Sequence, residues 1–408
     1  MGTIKTKEVR FMILLIIVPA YLLINYYVIR RILHWLRSCH SWFHSRWFTA
    51  AYVGLYALLA STLLFAYLLP ASPFQTAVKR LSNYWLGTFL YVLLTILIID
   101  LLRLILKRIR RIPESFFSSG KTLALVGGIA TLAVVGGSVY GGIHAHQIYT
   151  TPYQVTVEKS CSGREQLNIV LISDLHLGYS IGSADMERMV EKINQMDADL
   201  ICIAGDIFDN EYAALDDPQR IQQLLGSMKS VYGTYACWGN HDISERLLGG
   251  FSTHSARDNY RDSRMEELLT GAGITLLEDE TVLIDDAFYL AGRLDRQKPL
   301  TEDGGRLSPQ ELLENLDHTK PIIVMDHQPK ELQELADAGA DLDLCGHTHD
   351  GQMFPGNLTV HLFWENACGY LQKGQMHNIV TSGVGVWGPA MRVGTKSEIC
   401  KITVQFTS

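Results

Sequence analysis

Acidic residues are nearly missing from the first 150 positions of this 408-residue chain, where only Glu8, Asp100 and Glu114 occur. The same stretch carries 15 Lys or Arg, a net of +12. The remainder holds 20 basic and 39 acidic residues, a net of −19, and the two halves sum to −7. Asymmetry of that size marks two regions built for different surroundings. The acidic half has no basic surplus to neutralise a phosphate backbone, which argues against nucleic acid as a partner. Among the seven cysteines (Cys39, Cys161, Cys202, Cys237, Cys345, Cys368, Cys400) there is no Cys-x-x-Cys pair and no regular spacing, so no disulfide framework is indicated. Internal repeats and low-complexity tracts are lacking too.

In place of charge, the first region has long apolar runs: Phe11–Ile29, Thr49–Leu69, Tyr84–Leu106 and Leu123–His144. Each is close to the length that crosses a bilayer core. Asp100 and Arg103 lie one turn apart at the end of the third run, where they can pair or snorkel. Gly127, Gly128, Gly136, Gly137, Gly141 and Gly142 suit the fourth to close helix packing in lipid. A cleaved signal peptide is a poor account of the first run, since no small-residue cleavage site follows it. The Met1–Thr6 match to a myristoylation pattern is redundant beside four spans. A channel or transporter is disfavoured because Asp100 is the sole acid in the runs.

We therefore expect a multi-pass membrane protein with a transmembrane region over 1–148 (spans 11–29, 49–69, 84–106 and 123–144). A connector over 149–165 follows, with an edge strand at Tyr153–Glu158, and then a domain over 166–408 long enough to bury a full α/β core. Arg30, Arg31, Arg37 and Arg46 fall in the first loop, and Lys107, Arg108, Arg110, Arg111 and Lys121 in the third, so these loops are the cytoplasmic candidates. That puts the domain outside the cytoplasm, although the basic N-terminus (Lys5, Lys7, Arg10) argues the other way.

Five short segments in the second half each end an apolar run with metal-binding side chains. They are Asp174-Leu175-His176, Gly205-Asp206-Ile207-Phe208-Asp209, Gly239-Asn240-His241-Asp242, His327, and Gly346-His347-Thr348-His349. The preceding runs, Leu167–Ser173, Leu200–Ala204, Thr234–Trp238, Ile322–Met325 and Leu342–Cys345, read as buried parallel strands. Helical patterns at Ala184–Gln195, Asp217–Met228 and Lys330–Ala338 lie between them. In alternating α/β sheets, ligands gather at the carboxyl ends of strands, so distant residues can converge there. Mixed imidazole and carboxylate donors suit Mn, Zn, Fe or Ni without choosing among them.

The five segments together resemble the calcineurin-like metallophosphoesterase superfamily, whose pattern is D-x-H, G-D-x-x-D, G-N-H-[DE], H and G-H-x-H. The resemblance runs from about Gln166 to the C-terminus. Its membrane-associated or exported subgroup carries G-H-T-H-G-G-Q, where this chain has Asp350 in place of a glycine. The resemblance implies a two-sheet α/β sandwich with flanking helices. It further implies one divalent metal held by Asp174, His176, Asp206 and His349, with Asp206 bridging to a second held by Asn240, His327 and His347. Such a pair, about 3.5–4 Å apart, would clamp an in-line displacement by metal-bound hydroxide. His241 would act at the leaving group, with Asp209 orienting it.

The reading is a membrane-anchored, dinuclear phosphoesterase acting on a phosphate ester, phosphodiester or pyrophosphate that is lipid-linked. The alternatives are a metal-binding membrane scaffold without essential catalysis, and a hydrolase of a soluble phosphoester. Outside the pattern, His254, His318, His361 and His377 read as surface or structural histidines. Arg293 and Asp295 read as a surface ion pair or as residues approaching the site from a loop, and the loop around Leu248–Arg264 as a pocket wall or an ordinary solvated connection.

Overall fold

The computed structural model describes residues 2–70, 72–109, 113–245, 247–248, 251–252, 260–298 and 305–407. The first region is helical throughout: α1 (Gly2–Cys39), α2 (Arg46–Leu68), α3 (Pro73–Leu106), the short α4 (Glu114–Ser118) and α5 (Gly120–His144). Four of these, taken over Ile16–Cys39, Arg46–Ala66, Pro73–Leu106 and Gly120–His144, are long and apolar enough to cross a membrane. Helix starts are where the sequence puts oxygen caps. Ser45 accepts from the Trp47 amide, and Ser72 accepts from the Gln75 amide with Pro73 just inside the helix.

Two details depart from expectation. First, α1 continues through Arg30, Arg31 and Arg37, so those cations sit on the helix and not in a loop. Second, Asp100 pairs with Arg31 and with the Tyr27 hydroxyl, not with Arg103, whose guanidinium reaches the Phe117 carbonyl. Burying a carboxylate among apolar helices favours the partner that can be shared across helices over one that is mainly surface-directed. Interhelical hydrogen bonds also join Tyr56 to Asn25 at 2.8 Å and Trp35 to the Ala124 carbonyl at 3.2 Å. In the fourth span a side chain at Gly127 would put its Cβ 2.0 Å from the Trp35 ring, whereas Gly128, Gly136 and Gly137 face open space.

Leu247–Ser255 groups with the first region, and Gly142–Arg246 with Ala256–Ser408 forms a second compact unit. Its elements are β1 (Ile148–Val157), β2 (Gln166–Ile172), α6 (Ser183–Ile193), β3 (Leu200–Ala204), α7 (Pro218–Gly226) and β4 (Thr234–Cys237). A two-stranded ribbon, β5 (Leu247–Leu248) and β6 (Phe251–Ser252), comes next. Then follow α8 (Ser263–Gly271), β7 (Ile274–Leu276), β8 (Glu280–Ile284), β9 (Phe288–Gly292), α9 (Pro309–Leu313), β10 (Ile322–Met325), α10 (Leu332–Asp337) and β11 (Leu342–Cys345). The chain closes with α11 (Gly356–Thr359), β12 (Gly369–Lys373), β13 (Met376–Val380) and β14 (Ser397–Phe406). One sheet runs β1-β14-β2-β3-β4-β7 and the other β12-β13-β11-β10-β9-β8.

Alternation along the strands makes the layers. Leu167, Ile169 and Leu171 of β2 face a central core with Leu290, Met325, Leu344 and Ile379 of the second sheet, while Val170 and Ile172 face α6 and α7 through Met186, Met189 and Ile221. On the far side, Ile322 and Val324 pack against Leu332 and Leu335 of α10. This is a two-sheet α/β sandwich with helices outside. Cys202, Cys237, Cys345 and Cys400 are buried as free thiols in it.

Within the stretch expected as a connector, Ile148–Val157 is a ten-residue edge strand pairing in parallel with all of β14. Its partner lies some 250 residues downstream, beyond the reach of local pattern. The Leu248–Arg264 loop lies largely outside the described residues.

Candidate metal centre

Five strands deliver the site. β2, β3 and β4 run parallel in one sheet, and β10 and β11 run parallel in the other. Each stops one to three residues before a motif: Ile172 before Asp174, Ala204 before Asp206, Cys237 before Asn240, Met325 before His327, and Cys345 before His347. The chain must turn abruptly there to aim side chains into the common rim. It does so through left-handed backbone at Asp174 (φ 53°), His176 (45°), Asp206 (50°), His347 (74°) and His349 (52°). Five such non-glycine residues in one place is strain the surrounding fold must hold. Close approach needs glycine in between. A Cβ on Gly239 would sit 2.3 Å from the Asp206 amide nitrogen, and one on Gly346 would sit 2.4 Å from Asp174 Oδ2.

The donors form two clusters sharing one carboxylate. In the first, His176 Nε2 and His349 Nε2 are 3.0 Å apart, with Asp174 Oδ1 at 3.3 Å from His349 and 3.9 Å from His176. Asp206 Oδ2 lies 3.7 Å from the same His176 nitrogen. In the second, Asp206 Oδ2 is 3.0 Å from His327 Nε2, which is 3.2 Å from His347 Nδ1. Ligands about 2.1 Å from a common cation would stand about 3.0–3.4 Å from one another. The spacing of the nitrogens and carboxylates is thus that of a coordination sphere. Asn240 Oδ1 is buried without a hydrogen-bond partner. A buried carbonyl left in that state needs an electropositive neighbour. The donor set therefore fits divalent cations.

Family comparison agrees with this geometry. Residues 167–351 match the family model described as calcineurin-like phosphoesterase. That stretch, a little under half of the chain, is similar to the calcineurin-like phosphoesterase family. A transmembrane protein with a metallophosphoesterase domain from Danio rerio is 29% identical over 339 residues, 80% of this chain and 73% of the relative. A transmembrane protein with a metallophosphoesterase domain from Bos taurus is 29% identical over 290 residues, covering 70% of this chain and 64% of the relative. A UDP-2,3-diacylglucosamine pyrophosphatase, LpxG, from Chlamydia trachomatis is 25% identical over 220 residues, 46% of this chain and 64% of the relative. The class is thus that of metal-dependent phosphoric ester hydrolases, attached to a membrane-spanning region.

The shell around this phosphoesterase centre sets its protonation. His327 gives its Nδ1 proton to the Ala204 carbonyl at 2.8 Å, which leaves Nε2 to face Asp206. Burial holds His347 down to about 3, with His327 adding to the effect, and burial likewise drives His349 well down, helped by His176 and Arg392. Both imidazoles are neutral near pH 7, the form in which a histidine can hold a cation. For Asp206, burial opposes ionisation, but His327 and His241 outweigh it and hold the carboxyl well below its usual range. Asp242, the last residue of its motif, is structural. Its oxygens accept the Phe208 and Gly239 amides at 2.8 and 2.7 Å and tie two ligand loops together.

Two expectations are corrected. Asp209 does not orient His241; the His241 Nδ1 sits 2.6 Å from Asn210 Oδ1, while the Asp209 carboxylate lies 3.7 Å from His176 Nδ1. Having passed Asp206 in a left-handed turn, the loop turns Asp209 toward the D-x-H segment and leaves the next residue to meet His241. Arg293 and Asp295 are not a surface pair either. Both are buried, Arg293 pairing with Asp326 and Glu331, and Asp295 accepting from Gln328.

Among the remaining histidines, His377 is fixed by Tyr370 and the Thr156 carbonyl, His318 contacts the Leu313 carbonyl, and exposed His361 stands 3.7 Å from Asp350. His254 lies outside the described residues. Asp350 keeps a glycine-like backbone at φ 53°, so the replaced glycine leaves the turn in place.

The motifs did not point to Asn210, Arg392, Trp364 or Trp387. Trp364 packs its ring 5.1 Å from His347, and Trp387 lies 5.7 Å from His241. Gln352, which ends the G-H-T-H-D-G-Q segment, holds Trp387 by a reciprocal pair of 2.9 Å hydrogen bonds to its backbone. Asn210 directly follows the second motif, a signal that was available; Arg392 has none.

Proposed function

We propose that the chain is a membrane-anchored phosphoesterase that hydrolyses a lipid-linked phosphate ester, phosphodiester or pyrophosphate with two divalent cations. The observation that carries this is the donor pair Asp174–His176–His349 and Asp206–His327–His347, linked by Asp206 Oδ2 at 3.7 Å from His176 Nε2 and 3.0 Å from His327 Nε2, with Asn240 Oδ1 buried and unpartnered. Asp174, His176, Asp206 and His349 would hold one cation, and Asp206, Asn240, His327 and His347 the other. When bound, such a pair supplies an acidic water near neutral pH and offsets charge on the attacking and leaving oxygens.

The chain's own residues do the rest. His241 packs against the donors and is held down to about 4 by burial, so it is a neutral imidazole until a phosphate oxygen comes beside it. Asn210 takes its Nδ1 proton and leaves Nε2 as the nitrogen that can serve the leaving group. Trp387 covers one side of that ring and limits water there. The lipid link is supported by the four spans, and by a lipid pyrophosphatase among the relatives.

The test uses full-length protein in detergent, stripped and reloaded with Mn²⁺. Wild-type protein is expected to hydrolyse bis-(p-nitrophenyl) phosphate or p-nitrophenyl phosphate only when loaded, with activity absent in His349→Ala. Two metals bound without turnover on these or on vesicle lipids would move the reading to a metal-binding scaffold.

A further inference from the structure

Immediately after the metal-ligating His347-Thr348-His349 segment, the residues 353–364 read MFPGNLTVHLFW, with His361 their sole titratable side chain. This is an odd composition for a unit with a large acidic surplus. The segment folds as α11 and a following single turn over Val360–Leu362. Instead of turning its apolar groups inward it presents them to solvent. Leu358 is 62% exposed, Leu362 78% and Phe363 73%, with Phe354 and Trp387 exposed as well. A cluster of large apolar side chains on an otherwise polar, charged domain marks an interaction surface.

What lies next to the patch identifies the occupant. Phe354 donates its amide to the Val393 carbonyl, Asn357 reaches the Gly394 carbonyl at 3.5 Å, and Thr395 donates its hydroxyl to the Gln352 carbonyl at 2.7 Å. The same 393–397 strip holds the end of the last membrane helix: His144 Nε2 lies 3.1 Å from the Thr395 carbonyl, and Ser397 donates to the Ala145 carbonyl at 2.9 Å. Ala145 itself is buried in the domain core. The apolar segment is thus bonded to the strip that anchors the place where the fourth span ends, and a bilayer surface has to pass close to that place. At its border Lys330 places its ammonium 3.9 Å from the Trp364 ring centre and donates to the Phe363 carbonyl, an aromatic–cation pair of the kind that sits at headgroup level.

We propose that the segment from Phe354 to Phe363 is an interfacial element that inserts its apolar side chains into the lipid surface and holds the rim of the metal centre against it. Leu358, Leu362 and Phe363 enter the acyl boundary, and the uncharged composition removes the repulsion the acidic domain would otherwise meet at an anionic leaflet. The occupant is the bilayer, not a second protein.

The full-length chain tests this in phosphatidylcholine–phosphatidylglycerol vesicles. Nitroxide labels are placed at Leu362→Cys and at Leu358→Cys in a Cys39→Ser background, with the background protein as blank. Glu267→Cys serves as reference, an exposed site on α8 beside β7, at the sheet edge opposite β1. At 358 and 362 the label should collide more with oxygen than with a water-soluble nickel chelate, and at 267 the order should reverse. Nickel-accessible labels at both 358 and 362 would overturn the proposal. The readout needs no turnover, so that failure would leave the phosphoesterase reading standing, and loss of hydrolysis would leave this one standing.

Discussion

Arg392 is fully buried, with no carboxylate within ion-pair distance among the described residues. Instead its guanidinium donates to the Ser382 and Gly385 carbonyls at 2.6 and 2.8 Å and lies 3.4 Å from His349 Nδ1. Burial pushes the group down to about 10, a penalty accepted beside a metal ligand. Its position braces the His349 ring and adds to the burial that keeps that ring from taking a proton. Arg392→Met is therefore expected to weaken Mn²⁺ binding about 10- to 100-fold, the usual scale for removing a ligand's outer partner. Metal titration of the purified variant checks this, and unchanged affinity would assign Arg392 to loop packing alone.

The contrast with His349 shows what sequence can carry at this scale. A ligand must be one of a few residue types at a strand end, so Asp174, His176 and His349 stand out from their neighbours. Arg392 acts through backbone carbonyls of a segment with no motif, and only the fold brings it to the site. The Asp209 expectation missed for a related reason. Which of two adjacent residues meets His241 depends on the backbone turn at Asp206, and composition is silent about that.

Elements that close on themselves were legible, and those completed from afar were not. β3 and β10 fall on the runs read from apolar content, because a strand buried on both faces has no polar positions to blur it, and β11 does so although it carries the buried Asp343. β1 alternates buried and exposed positions weakly and is made a strand by β14. The helices α1, α2, α3 and α5 were visible as apolar runs, but α1 extends beyond its run to Cys39 because nothing in Ile29–Arg37 breaks a helix.

That extension bears on topology. With Arg30, Arg31 and Arg37 on the last turns of α1, and Lys107 and Arg108 after α3, the basic surplus makes the α1–α2 and α3–α5 connections the candidates for the cytoplasmic side. Exposed Cys39 sits in the first of these connections. In intact cells a membrane-impermeant maleimide should therefore fail to label Cys39, and should label it once the membrane is opened, with Cys39→Ser as control. Labelling in intact cells would place the phosphoesterase domain in the cytoplasm.

For the whole molecule, the two sheets have separate jobs that meet at one edge. The first supplies Asp174, Asp206 and Asn240, the second supplies His327 and His347, and the sandwich core fixes their separation through Leu167, Leu290, Met325 and Ile379. Neither sheet holds a complete donor set, so a centre of this kind depends on correct packing of the entire domain. The central claim is that this packing builds two cation sites joined through Asp206. Metal content per chain, measured by mass spectrometry on full-length protein equilibrated with Mn²⁺ and desalted, tests it most directly. The account predicts two ions in the wild type, fewer in Asn240→Ala with the Asp174–His349 site retained, and loss of both in Asp206→Ala. One ion in the wild type, or two ions surviving in Asp206→Ala, would contradict it.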